Sequence, residues 1–155
     1  MNAELSSFGV MLGREDIAVS EKEIVNLVET YRLAWNARDF EGMAALFSEP
    51  AMYIVPEGVL HIPDKAALVS KLQLQFVDLE AEGFDRTEIG DVVFTMVTEY
   101  SGLAELRHLR RLRTDGSEIS AIDVLYICVL EEGNWRLSVA MAGPCGWNDK
   151  AGPTS

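Results

Sequence analysis

The sequence predicts an α+β domain in which three N-terminal helices pack on a strongly curved, mainly antiparallel sheet. Apolar residues recur at helical spacing from Ile24 to Trp35 and again from Leu68 to Leu79. From about residue 91 the pattern changes to four long strand-like runs, 91–100, 103–114, 117–130 and 135–142. Gly102, Asp115-Gly116 and Gly133-Asn134 separate these runs, as in a meander of hairpins. Helices followed by such a meander form the α+β pattern.

Residues 1–19 show no clear periodicity. Phe8, Val10, Met11 and Leu12 are available to pack on the domain or a partner, and the segment reads as an N-terminal arm. The first helix is expected over 20–38. Ser20-Glu-Lys-Glu23 is a capping box, in which the Ser20 hydroxyl accepts from the Glu23 amide and the Glu23 side chain reaches back. Ile24, Leu27, Val28, Tyr31 and Trp35 then share one face. Asp39 is placed to cap a second helix over 40–47, with Met43, Leu46 and Phe47 inward. Pro50 ends that helix. Residues 51–55 read as a strand, Pro56-Glu57-Gly58 as a turn and 59–62 as a short strand. Pro63 suits the first turn of a third helix with the stripe Leu68, Leu72, Phe76 and Leu79, and Gly83 is its stop. The domain is thus expected over 20–142, with an irregular tail over 143–155.

A chain of 155 residues is one domain by length. It buries roughly 68–70% of its unfolded surface, enough to stay folded without disulfides or metal. No run of about 18 apolar residues predicts a membrane span, and no basic, then apolar, N-terminal stretch predicts a secretory signal. Asp plus Glu is 25 against 13 for Lys plus Arg, a formal net charge of -12. Such a surface repels nucleic acid and anionic lipid. The two cysteines, Cys128 and Cys145, carry no metal-ligand spacing, and Cys128 lies in an apolar strand. A reducing, cytoplasmic setting fits them, and neither a metal nor a cofactor is expected.

The run Tyr31-Arg-Leu-Ala-Trp-Asn-Ala-Arg-Asp39, then Leu46-Phe47, then a strand ending at Pro56, resembles the nuclear transport factor 2-like superfamily. Gly133-Asn-Trp-Arg-Leu137 is similar to the signature of its last strand. The resemblance covers about residues 20–142. Pro56-Glu57-Gly58, Asp115-Gly116-Ser117 and Tyr126 bring the chain nearest the SnoaL-like, uncharacterised branch, with its ketosteroid-isomerase-like fold. The resemblance implies a cystatin-like, cone-shaped roll around a pocket, and leaves the reaction open. Against the isomerases, Tyr31 falls where a ketone-polarising Tyr would be and Asp123 where a hydrogen-bonding Asp would be. The base position falls on Val55, which takes no proton, so that reaction is not expected. Against the epoxide hydrolases, Arg110 and Asp123 supply two members of the set and the second acid is missing.

The hairpin at Asp115-Gly116 supplies further candidates. A two-residue turn pairs Thr114 with Ser117 and sets His108 opposite Asp123. One face then carries Ala104, Leu106, His108, Arg110 and Leu112 opposite Ile119, Ala121, Asp123, Leu125 and Ile127. A three-residue loop with a bulge instead sets Asp123 beside Arg107. In the first register this face suits the pocket. His108 and Asp123 would form a general acid/base dyad, the carboxylate fixing the imidazole tautomer, and Arg110 would bind a carboxylate or enolate oxygen. The same three residues also suit a structural hydrogen-bonded network. Tyr31, Tyr53, Val55, Phe94, Met96 and Leu125 are expected to line the pocket, or in part to fill the core. His61 is expected in a loop, Trp135 in the core.

The function expected is binding of a small, largely apolar molecule, with acid/base turnover of a carbonyl compound (cyclase, isomerase or hydrolase) as its enzymatic version. The rival is a non-catalytic interaction module. It would form a homodimer through an outer sheet face carrying Ile122, Val124, Tyr126 and Cys128.

Overall fold

The computed structural model describes residues 13–147. Its helices are α1 (Arg14–Asn36), α2 (Phe40–Ala44) and α3 (Lys65–Ala81). Its strands are β1 (Phe47–Val55), β2 (Gly58–Ile62), β3 (Phe84–Thr98), β4 (Ser101–Arg113), β5 (Glu118–Glu131) and β6 (Asn134–Pro144). They form one six-stranded sheet in the order β2-β1-β6-β5-β4-β3. Among these strands only β1 and β6 run parallel. The helices do not precede the sheet as a block, because β1 and β2 intervene between α2 and α3. In a flat sheet β1 and β3 would stand roughly 19 Å apart, at about 4.8 Å per strand. Both line one small cavity, so the sheet curls around it.

α1 begins at Arg14 rather than Ser20, with Gly13 at the N-cap. The capping box therefore lies inside the helix. No helix breaker intervenes over 14–19, and Asp16 sits where a carboxylate meets the positive end of the helix. The apolar arm residues Phe8, Val10, Met11 and Leu12, like the tail beyond residue 147, lie outside the described residues. Ile24, Leu27, Val28, Tyr31 and Trp35 are all buried. The Asp39 side chain caps α2 by accepting from the Gly42 amide at 2.9 Å. α2 is shorter than expected, because Phe47 already pairs with Leu137 in the sheet. Asp64 caps α3 through the Ala67 amide, which leaves Pro63 before the helix rather than inside it. Gly83 follows α3 at φ 84, the left-handed position that suits glycine. Leu68, Leu72, Phe76 and Leu79 are buried as the stripe predicts.

β3 starts seven residues earlier than the sequence suggests, and it is an edge strand. An edge tolerates Asp85, Arg86 and Glu88, and a register shift between Phe84 and Arg86 breaks the alternation. Gly102 is not a turn. It lies within β4, where a Cβ would come 2.6 Å from the Phe94 ring. That ring packs edge-on against Trp135 at 5.5 Å. Phe94 and Met96 thus pack on the core and do not line the cavity.

Arg38, at φ 57, ties α1 to α3 and β3. Its guanidinium donates to the carbonyls of Asn36, Phe84 and Asp85, each at 2.9 Å, and to Glu80. It also lies over the Phe84 ring at 4.8 Å. Arg38→Ala is expected to lower stability by about 1–2 kcal/mol, read as a lower urea midpoint with unchanged slope.

The β4–β5 pairing decides what faces inward. Leu106 pairs with Val124 and Leu109 with Ile122, so Arg107 and His108 together oppose Asp123. This is a bulge, with His108 in the left-handed region at φ 57. Before the bulge Ala104 faces Tyr126, and beyond it Arg110 faces Ala121 as a two-residue turn predicts. A second shift after Arg111 pairs Leu112 with Glu118, and the Arg113 amide donates to the Ser117 carbonyl. The loop therefore has three residues, and the expected Thr114–Ser117 pair is not formed. The inner face therefore carries Leu106, Leu109 and Arg111 of β4 with Ile122, Val124 and Tyr126 of β5. This reverses the expected faces of β5 and of β4 just beyond the bulge, while Ala104 and Leu106 point inward as expected. The apolar strip expected on the outside for a dimer is interior, with Val124, Tyr126 and Cys128 all buried. Among the described residues, no helix is long and apolar enough to cross a membrane.

Candidate functional site

The concave side of the sheet, closed by α1 and α3, holds a cavity of about 260 Å³. Aliphatic side chains form most of its sheet side, among them Ile89, Leu106, Leu109, Ile122 and Val124. Ile54 and Ala142 line it and are exposed, so they mark the mouth. The polar groups come from separate elements: Tyr31, Arg32 and the Trp35 indole from α1, Tyr53 from β1, Lys71 and Gln75 from α3, Thr87 from β3, Arg111 from β4 and Tyr126 from β5.

The three phenols form one cluster. The Tyr31 ring meets the Tyr126 ring edge-on at 6.2 Å, and Phe47 packs between Tyr31 and Tyr53 at 5.7 and 6.2 Å. Burial, then the neighbouring Tyr126 and Tyr53, pushes the Tyr31 hydroxyl well above its ordinary pKa. Burial raises Tyr53 to about 12 and also raises Tyr126. All three stay protonated at neutral pH and act as hydrogen-bond donors.

The cations differ in their partners. Arg32 is held by Glu29 at 2.5 Å. Arg111 makes no ion pair among the described residues, and its buried Nε has no hydrogen-bond partner there. Burial lowers its pKa, which the three tyrosines partly offset. The Lys71 ammonium lies 4.0 Å above the Tyr53 ring, and burial followed by the charge of Arg111 lowers its pKa. Two further lining residues carry buried polar atoms without a partner among the described residues, Trp35 at Nε1 and Thr87 at Oγ1. Among the described residues, no Asp, Glu or His lines the cavity. Such a site offers donors and positive charge to an acceptor oxygen.

Tyr31, Tyr53 and Val55 stand in the cavity as the sequence suggested. The other candidates do not. Arg110 lies on the outer side, paired with Glu88 at 2.9 Å. Leu125 and Asp123 line an outer groove with Trp147. The His108 ring is exposed and makes no bond to Asp123; its Nδ1 meets Cys145 Sγ at 3.1 Å. Asp123 instead accepts from the backbone amides of His108 at 2.8 Å and Gly146 at 3.0 Å. The His108 amide foremost holds that carboxyl below its ordinary pKa. The cross-strand imidazole–carboxylate dyad is therefore not formed. Burial and then Asp123 push the Cys145 thiol upward, so the outer group holds a thiol rather than a thiolate.

A family model described as NTF2-like protein (DUF6841) matches residues 21–145. The chain belongs to this NTF2-like family. A comparison with curated proteins finds no match. Among solved structures, a domain of unknown function with a cystatin-like fold from Nostoc punctiforme is similar with TM-score 0.67 at 24% identity, over 90% of this chain and 83% of that one. An NTF2-like protein with a cystatin-like fold from Novosphingobium aromaticivorans has TM-score 0.67 at 17% identity, over 83% and 84%. Aln2 from a Streptomyces species has TM-score 0.67 at 14% identity, over 92% and 100%. At these identities the likeness concerns the fold.

Within that fold, sequence reasoning missed Arg111, Lys71, Trp35 and Tyr126 as cavity residues. One signal for Arg111 was present. Leu106 and Leu109 are both apolar at a spacing of three, which marks a parity change in the strand. Lys71, beside Leu72 on the helix stripe, carried no comparable signal.

Proposed function

We propose that this protein binds a small, largely apolar organic molecule in the inner cavity. A carbonyl compound bound there would meet phenolic donors at its oxygen, so any turnover would run through polarisation of that oxygen. The observation that carries this reading is the convergence of Tyr31, Tyr53 and Tyr126 on a cavity whose sheet side is largely aliphatic. An open cavity of about 260 Å³ lies just below the roughly 300–1,000 Å³ of sites for drug-sized ligands, which fits a smaller molecule. It also supports ligand binding over a purely structural interaction module, for which a filled interior would serve better.

The test is occlusion of the mouth. A thermal-shift screen of small organic molecules supplies binders, and calorimetry measures them on wild type and on Ala142→Trp. Ala142 is exposed at the rim, so the variant is expected to fold normally and to lose binding by tenfold or more, about 1.4 kcal/mol. Unchanged affinity in Ala142→Trp would place the binders elsewhere and end this reading.

A further inference from the structure

We propose that the ligand's polar end is a carboxylate, so that the cavity is a receptor for a small organic acid held by Arg111 and Lys71. This rests on the reading of the cavity as a ligand site and adds the charge and chemical class of the ligand.

Four observations support it. Acids outnumber bases 25 to 13 in the chain, yet Arg32, Lys71 and Arg111 line the cavity and, among the described residues, no acid does. The cavity's positive charge therefore runs against the composition. Arg32 has its carboxylate in Glu29, whereas Arg111 has none among the described residues. A buried cation without a counter-charge is costly, and a ligand anion would remove that cost. Of the four buried side-chain polar atoms left without a partner among the described residues, three belong to lining residues. Two of those, Trp35 Nε1 and Arg111 Nε, only donate, and a hydroxyl such as Thr87 Oγ1 can donate as well. Finally, Arg111 and Lys71 line the same cavity, and burial followed by the charge of Arg111 lowers the pKa of Lys71, so one anion would relieve both.

The geometry favours a carboxylate over a phosphate ester. A guanidinium fork matches a planar carboxylate, and one guanidinium with one ammonium is ample for a single negative charge. A phosphate dianion would need more positive charge, and Arg32 is already engaged by Glu29. The aliphatic wall and the phenols then surround the acid's apolar body.

The test uses probes that differ only in charge. Octanoate and benzoate are titrated against octanamide and benzamide by calorimetry on the full chain, with phenyl phosphate as a third anion. The acids are expected to bind on the order of tenfold to a hundredfold more tightly than their amides. Arg111→Gln should narrow the gap between each acid and its amide by tenfold or more, with Lys71 left to hold what remains; a gap as wide as in wild type would overturn the assignment of the carboxylate to Arg111. Acid and amide binding equally in wild type would overturn the carboxylate and leave the ligand site standing. Phenyl phosphate binding more tightly than benzoate would overturn the choice of anion. If neither acids nor amides bind at millimolar concentration, the receptor and the site fail together. A ligand-free readout is the melting temperature of Arg111→Leu, expected at or above that of wild type because an unpaired buried charge is gone. A melting temperature well below wild type would assign the guanidinium to the fold and overturn the proposal.

Discussion

Raising the pH from 9 towards 12 is expected to unfold this protein cooperatively. Four groups drive it: the buried Cys128, Tyr31 and Tyr126 and the partly buried Tyr53. Burial raises the Cys128 thiol from 9.0 to about 12 and is the main cause that raises Tyr53 from 10.0 to about 12. In these intervals the folded chain keeps protons that the unfolded chain has released. Their stabilisation is whole below the ordinary values and is lost as pH rises through the folded ones, at about 1.4 kcal/mol per group per pH unit. Cys128 and Tyr53 together then cost about 7 kcal/mol by pH 12, which rivals the roughly 5–15 kcal/mol stability of a whole domain. Tyr31 and Tyr126 add to this above 10.0, since their folded values are raised as well. Lys71 works in the opposite sense below 10.5, because the unfolded chain binds its proton more tightly; as one half-buried amine it is outweighed. Tyrosinate absorbance and helical circular dichroism, followed together through this range, should change in one step for the buried phenols. A gradual appearance of all tyrosinate with the helices intact would mean that water reaches the phenols, and the closed cluster would be wrong.

The fold was legible where apolar periodicity is long. The stripes Ile24 to Trp35 and Leu68 to Leu79 depend only on helical spacing, and both are buried as read. The cap at Asp39 is local chemistry and was legible too, whereas the third helix opens on Asp64 and not with Pro63 in its first turn. The opening of β3 was not legible, because an edge strand carries charges that resemble a loop. The site was half legible for a related reason. Tyr31 and Tyr53 sit on elements of simple periodicity. Arg111 and Tyr126 sit on strands whose parity depends on a bulge at Arg107 and His108. Alternation divides a strand into two faces without saying which is inside. The polar trio His108, Arg110 and Asp123 drew attention to the face that the structure turns outward.

Asp123→Ala is expected to cost about 2–4 kcal/mol, since it leaves the amides of His108 and Gly146 without their acceptor. His108→Gly should be neutral, or stabilising by up to ~1 kcal/mol, because glycine relieves the left-handed backbone at φ 57. The contrast separates a clamp from a dyad. A clamp needs the carboxylate and the backbone of residue 108, but not the imidazole. A dyad needs both side chains. The clamp also reaches the cavity from outside. It holds the bulge that turns Leu109 and Arg111 inward, and a one-residue slip in a strand exchanges its faces. Asp123→Ala should therefore also weaken the preference for acids over amides in the protein that remains folded, while His108→Gly leaves it intact. Urea midpoints with calorimetry on both variants decide the matter. If His108→Gly abolishes binding and Asp123→Ala keeps its stability, the imidazole has a function on the outer face and the clamp is wrong. If both follow the expected pattern, the outward carboxylate is a positioning residue for the guanidinium on the other side of the sheet.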